Sequence, residues 1–337
     1  MKVRCLWVLA AMALVVSLPS MGFPQQKPII IRAAHVDSPD SGINLAIKHM
    51  AKIVKERTNG RVIIEDHPAG DLMGGKGQVG IDLLMAGNIE LSPMSSAYYT
   101  AIVPEIGIIS LPFLFEDVEA QWRWFNSAGL QIIADLFEAK GLKVNFFWPR
   151  DLRDFFSRKG PLTSPEQFRG LRIRVMEAPI YVDIMNALGA KPTPMAWGEV
   201  YTALQMGSID AIEPMVEPGY TSGMWEVAKH VTISNYTSDA SLGAYNKKFW
   251  DSLPMDIKAV LYEAGLESGR WKMELEKKME KDYSEEIKKK GGTVTYLTKA
   301  QREKFRQALK PVFDKWTKKY GSDWSEAVLR TIDLSKK

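Results

Sequence analysis

Arginines set in strand-like sequence, followed by a tryptophan, are the groups in this chain best suited to hold an anion. They fall within residues 153–213, which read Leu152-Arg153-Asp154-Phe155-Phe156, then Gly170-Leu171-Arg172-Ile173-Arg174-Val175, then Pro194-Met195-Ala196-Trp197-Gly198-Glu199-Val200-Tyr201, and close on Asp210-Ala211-Ile212-Glu213. A guanidinium offers a planar fork that matches a carboxylate, and it is weakly hydrated enough to sit in a cleft. Arg172 and Arg174 alternate along a strand, so their side chains share one face and Ile173 and Val175 the other. That face meets either a cleft or bulk solvent, and an arginine on it either grips a ligand or makes an internal ion pair. Trp197 precedes a helix but stands outside its apolar stripe of Val200, Ala203 and Leu204. It is either core packing or a flat wall against a ligand.

Other chemistries find little support. No GxSxG, HExxH or SxxK arrangement is present. The four histidines, His35, His49, His67 and His230, are scattered without metal-ligand spacing. The single cysteine is Cys5. It lies in a leader-like segment with Lys2 and Arg4, an apolar run over residues 6–18, and Ser20 and Gly22 in a −3/−1 pattern. That layout predicts a secretory signal peptide over residues 1–22, cleaved near Gly22-Phe23. The mature chain then has no thiol chemistry. Its charge balance, 42 basic against 40 acidic residues once Lys2 and Arg4 are gone, gives no reason to expect nucleic acid.

The elements that must position these residues follow an α/β rhythm. Residues 27–35 are a buried strand, 44–58 a helix stopped by Asn59-Gly60, and 61–65 a second strand, so the helix is a crossover in a parallel sheet. Residues 70–80 satisfy GxGxxG and nearly satisfy GxxxxGK[ST]. Gly77 stands where the phosphate loop needs a hydroxyl, and the dinucleotide context is missing, so the segment is expected to be a flexible loop before a helix at 78–86. Residues 83–94 and 203–215 resemble each other as helix end, capping glycine, short strand, then polar or proline residues. Either two lobes are built on one plan, or both copies share common turn chemistry. On the first reading Ser95-Ser96 and residues 213–217 face a shared cleft. A helix is expected over 121–140, strands over 144–148 and 171–176, and helices over 180–188 and 198–206. A long helix spans 256–290, whose alternating charges from Lys272 onward read as a solvated face. A strand at 293–296 and helices at 299–320 and 324–332 close the chain.

Taken as a set, Leu111-Pro112-Phe113-Leu114-Phe115, Gly170 to Val175, Leu188-Gly189-Ala190, Pro192 to Gln205 and Trp225-Glu226-Val227-Ala228-Lys229 resemble the TRAP-transporter solute-binding proteins of the DctP type. The resemblance covers roughly residues 29–316. It implies a two-lobed periplasmic binding-protein fold of the α/β class, each lobe a mostly parallel sheet flanked by helices, with a long helix spanning both. The division it suggests is residues 23–148 with 240–290 in one lobe, 149–239 in the other, and 291–337 packing on both. It also implies a periplasmic, non-enzymatic monomer without a cofactor, which binds a small organic acid and works with a membrane permease driven by a sodium gradient.

The family's principal carboxylate-binding arginine falls on Arg174 and its second arginine on Arg153. Its aromatic falls on Trp197, the residue after the first pseudo-repeat on Ser95 or Ser96, and its hinge histidine on Tyr236. Glu213 and His35 complete the expected ligand-binding set. One departure stands out: where the family reads Asp-Gly-Gln/Ala-Glu-Asn, this chain has Asp210-Ala211-Ile212-Glu213-Pro214, and proline cannot donate a hydrogen bond. The Asp-Ala-x-Glu form is closer to a 2-oxoacid-binding branch in which a glutamate helps hold a metal ion bridging the ligand, although the tryptophan that follows there is missing. A metal-bridged 2-oxoacid binder, an exported sensor or scaffold presenting a small acid, and an exported α/β hydrolase are the alternative readings.

Overall fold

The structure, a computed structural model, describes residues 27–335, so the expected leader lies outside it. Strands of the first half are β1 (Ile29–Ala34), β2 (Val62–His67), β3 (Leu91–Ser92), β4 (Leu142–Pro149), β5 (Arg153–Ser157) and β6 (Arg172–Val175). Those of the second are β7 (Lys191–Pro194), β8 (Ala211–Ile212), β9 (His230–Thr237), β10 (Ala240–Asn246) and β11 (Thr293–Tyr296). The β-branched run Ile29-Ile30-Ile31 suits an extended backbone, since its stiff χ1 angles lose little there. The following helix, Gly42–Arg57, starts where the Ser41 hydroxyl accepts from the Asn44 N–H at 3.2 Å. It buries Ile43, Ala46, Ile47, Met50, Ile53 and Val54. Each fully buried aliphatic side chain of this kind contributes roughly 1.5–3 kcal/mol.

The strands form two sheets, ordered β2-β1-β3-β10-β4 and β11-β9-β5-β8-β6-β7. In the first, β10 alone runs against its neighbours; in the second, β5 alone does. The two sheets repeat one plan, with β2, β1, β3, β10 and β4 answering to β7, β6, β8, β5 and β9. The short resemblance between residues 83–94 and 203–215 is the sequence trace of that repeat. Both copies turn on a left-handed glycine, Gly87 at φ 77° and Gly207 at φ 71°, before β3 and β8. The chain passes between sheets three times, from β4 to β5 through residues 150–152, from β9 to β10 through Ser238-Asp239, and from β10 to β11 through the helix Met255–Lys289.

The long helix Met255–Lys289 lies across both halves. It packs on the helix Gly42–Arg57 and β4 at one end, and on the helix Val216–Thr221 and β11 at the other. Gly265 permits the close approach: a Cβ there would collide with the Phe146 ring, and the Trp148 indole donates to the Gly265 carbonyl at 2.9 Å. Two expectations need correction. Lys272 and Glu276 are buried rather than solvated, the Lys272 ammonium holding Glu276 at 2.5 Å and the Pro149 carbonyl at 2.6 Å. The single helix expected over 121–140 is broken into Val118–Trp124 and Leu130–Glu138 by a π-turn over Phe125–Gly129, with Ser127 at φ −110°, ψ −106°. There Phe125 stacks on Phe147 of β4, a long-range contact that helical periodicity does not foresee. The last strand, β11, pairs with β9. Helix Lys299–Lys319 packs on helix Pro179–Ala187 and β9, and helix Ser322–Leu334 on the π-turn.

Candidate functional site

The C-terminal ends of strands from both sheets converge on one small cavity. This is where open α/β sheets place ligands. From the first sheet, Asp37 follows β1, Ser95 follows β3 and Arg150 follows β4. From the second, Arg174 is the penultimate residue of β6, Pro214 follows β8 and Asp239 follows β9. Three guanidinium groups therefore meet in one small space, and what distinguishes them is their partners.

Arg150 donates to Asp37 at 3.0 Å. Burial alone would raise the Asp37 carboxyl, but Arg150 and His35 outweigh it and hold the group below the usual carboxylate range. Arg153 is gripped by Glu213 through both prongs of its fork, at 2.5 and 2.9 Å, and its Nη1 lies 3.3 Å from Asp239 and 3.1 Å from the Met176 sulfur. Burial opposes the charge on Arg153, yet Glu213 more than compensates and raises its proton affinity well above that of an ordinary arginine. Arg174 is different. Only 1% exposed, it donates Nε and Nη2 to the Met195 carbonyl at 3.0 and 2.7 Å, and it lies 5.4 Å from the centre of the Trp197 ring. No carboxylate pairs with it among the described residues. Burial lowers its proton affinity; Tyr98 and Glu213 offset this in part, while Arg153 adds to it.

The other expected residues are distributed around this core. Trp197 and Ser95 line the cavity. The hydroxyls of Ser95 and Ser96 both donate to Asp239, at 2.7 and 2.9 Å, with Ser96 set behind the wall. Glu213 and Tyr236 also stand behind it: the Tyr236 hydroxyl donates to Glu213 at 2.7 Å and its ring stacks on Phe155. His35 sits behind Asp37, with Nε2 3.0 Å from the Asn44 side-chain oxygen. Arg172 points away, forked onto Asp210 at 2.9 and 2.7 Å at the start of β6. Sequence reasoning missed Asp37, Tyr98, Arg150 and Asp239. The available signal was the density of charge in Arg150-Asp151-Leu152-Arg153-Asp154, all buried between two apolar strands.

The loop over residues 70–75 does not cradle a phosphate in this arrangement. It meets the residue after Trp197, where the Gly75 carbonyl accepts from the Gly198 N–H at 3.4 Å. Gly75 takes φ 73°, a left-handed geometry natural to glycine. For the metal-bridged reading, the donors do not fit: among the described residues no group of three His, Cys, Asp or Glu side chains could hold a metal ion, and Glu213 is committed to Arg153 and Tyr236. No described helix is long and apolar enough to cross a membrane.

Comparison with known proteins agrees with this architecture. The profile of the bacterial extracellular solute-binding proteins of family 7, DctP, matches residues 33–319. The chain is 31% identical over 321 residues to the C4-dicarboxylate-binding periplasmic protein DctP of Rhodobacter capsulatus, covering 94% of each. Among solved structures it resembles the sugar acid binding protein of Advenella mimigardefordensis in complex with galactonate, with a TM-score of 0.87 at 26% identity, over 92% of this chain and 99% of that one. It is similar also to a TRAP periplasmic solute binding protein from Ralstonia eutropha with bound (S)-2-acetolactate, with a TM-score of 0.85 at 26% identity, over 90% and 99% of the two chains. The match over most of its length, and the two lobes it shares with these proteins, mean that the chain belongs to family 7 of the bacterial extracellular solute-binding proteins.

Proposed function

We propose that this protein is the periplasmic receptor of a TRAP-type transporter, capturing a small organic acid between its lobes and delivering it, as a monomer, to the membrane permease. The observation that carries the reading is Arg174, a buried guanidinium with a carbonyl and an indole beside it and no paired carboxylate among the described residues. A buried charge is costly unless it is paired, and a ligand carboxylate would complete the fork. Relatives at comparable distance are named for a C4-dicarboxylate, a sugar acid and acetolactate, all of them acids.

In this reading Arg174 is the anchor, Trp197 and Tyr98 are walls, and Ser95 and Arg153 border the ligand. Glu213, Tyr236, Ser96 and His35 hold the bordering residues in place. Residues 27–148 with 240–290, and 149–239, move as two bodies about the crossings at 150–152 and 238–239. The acid stabilises the closed form by binding it more tightly than the open one, and the Gly75–Gly198 contact seals the mouth. Binding rather than turnover fits the lining. Ser95 donates to Asp239, and among the described residues no histidine lines the cavity to serve as its base.

A thermal-shift screen tests the proposal. An acid present at 100 times its Kd should add about 2.7 kcal/mol of stability and raise Tm by roughly 5 °C, whereas its neutral amide should not. Equal shifts from acid and amide would remove the anchor from the account.

A further inference from the structure

The polar groups of the cavity are nearly all spoken for, and what remains sets the class of ligand. Asp37 neutralises Arg150, and Glu213 with Asp239 neutralises Arg153. Ser95 is committed to Asp239. Besides the Nε of Arg150 and the indole N–H of Trp197, two donors of the lining have no partner among the described residues: Nη1 of Arg174 and the hydroxyl of Tyr98. They belong together, since burial drives the Tyr98 phenol up to about 12 and the charge of Arg174 is the largest influence opposing it. Two donors lining one cavity, one of them charged, match one carboxylate.

The remaining lining is apolar: Val36, Met176, Trp197, Pro214, Met215 and Pro218. Neither proline offers an N–H, so two stretches of main chain that would otherwise donate to ligand hydroxyls are silent. A second ligand carboxylate would meet either this surface or the carboxylates of Asp37 and Asp239. The cations there, Arg150 and Arg153, already hold Asp37, Glu213 and Asp239, so a second ligand carboxylate would have to share one of them.

We propose that the protein takes a compact monocarboxylate with an apolar body, its carboxylate held by Arg174 and the Tyr98 hydroxyl and its body packed against Trp197, Met176, Met215 and the two prolines. Dicarboxylates and polyhydroxy acids are selected against. The inference rests on the reading of the cleft as an acid site anchored at Arg174.

Calorimetric titration of the full mature chain with 4-methylpentanoate, phenylacetate, succinate and D-galactonate tests it. At least one of the two apolar acids should bind about 100-fold or more tighter than succinate and galactonate, the discrimination expected when a charged or polar group is buried without a partner. Tyr98→Phe should weaken that binding about 10-fold by deleting one hydrogen bond to a charged group. Succinate or galactonate binding as tightly as the apolar acids would overturn the inference while leaving the acid site standing. Heat from none of the four would overturn both, and so would binding that survives in Arg174→Ala.

Discussion

Replacing Glu213 by alanine separates a counter-ion from a ligand contact. Its carboxylate is fully buried, grips both prongs of Arg153, and accepts from the Tyr236 hydroxyl and, at 3.3 Å, from the Met176 N–H. Truncating one member of such a pair leaves an uncompensated charge, which typically costs about 3–5 kcal/mol. Asp239 stays 3.3 Å from Arg153 and offsets part of that, while Tyr236 loses an acceptor and adds to it. The expected loss is therefore about 3 kcal/mol, read as a lower midpoint with unchanged slope in urea unfolding monitored by tryptophan fluorescence. Arg153→Met combined with Glu213→Leu should recover part of it, because neither of these two charges is then buried alone, while Asp239 loses its contact with Arg153. Ligand affinity in the double variant should fall by no more than about 10-fold, against near-complete loss for a direct contact. A Glu213→Ala protein as stable as wild type but unable to bind would refute this reasoning and restore Glu213 to the ligand.

Two further outcomes are expected from groups around the cleft. A methyl group on Gly198 would lie 3.4 Å from both the Cα and the carbonyl oxygen of Gly75, so Gly198→Ala should be tolerated. Gly198→Leu should wedge the mouth open and weaken binding about 10-fold without changing the urea midpoint; equal loss of stability would show the contact to be structural only. Glu217 gives a pH signature. It is buried against Glu276, Asp37, Arg150 and Lys272, and burial followed by the charges of Glu276 and Asp37 raises its carboxyl to about 8, with Arg150 and Lys272 pulling the other way. A carboxyl raised in the fold favours folding while protonated, so its stabilisation is full below about pH 4.5 and is lost as pH climbs to about 8. Unfolding midpoints measured across that window should decline in wild type and decline less in Glu217→Gln; parallel curves would contradict the assignment.

Local pattern carried much of the architecture. The β-branched run at β1, the Asn59-Gly60 stop and the periodicity of Met255–Lys289 each appear where residue type and spacing place them. The π-turn at Phe125–Gly129 was not legible, because what favours it is the stacking of Phe125 on Phe147, not any local signal. The site was legible in part for the same reason. Strand alternation put Arg172 and Arg174 forward together and position marked Trp197, and it was the family resemblance that chose Arg174. The partners that separate Arg174 from Arg150 and Arg153 come from far along the chain: Asp37 is 113 positions from Arg150, and Glu213 is 60 from Arg153. Glu213 read as a ligand contact because its spacing could not reveal that Arg153 already held it. Pro214 was legible at once, since a missing N–H is a property of the residue itself.

Arg174 bears the central claim, and calorimetry on Arg174→Ala tests it most directly, using whichever acid gives the largest thermal shift with wild type. The buried charge it removes has no carboxylate partner among the described residues, so the variant should unfold at the wild-type urea midpoint or slightly above it. Its titration should show affinity reduced by at least about 100-fold. A folded Arg174→Ala protein that binds the acid as tightly as wild type would contradict the account at its root.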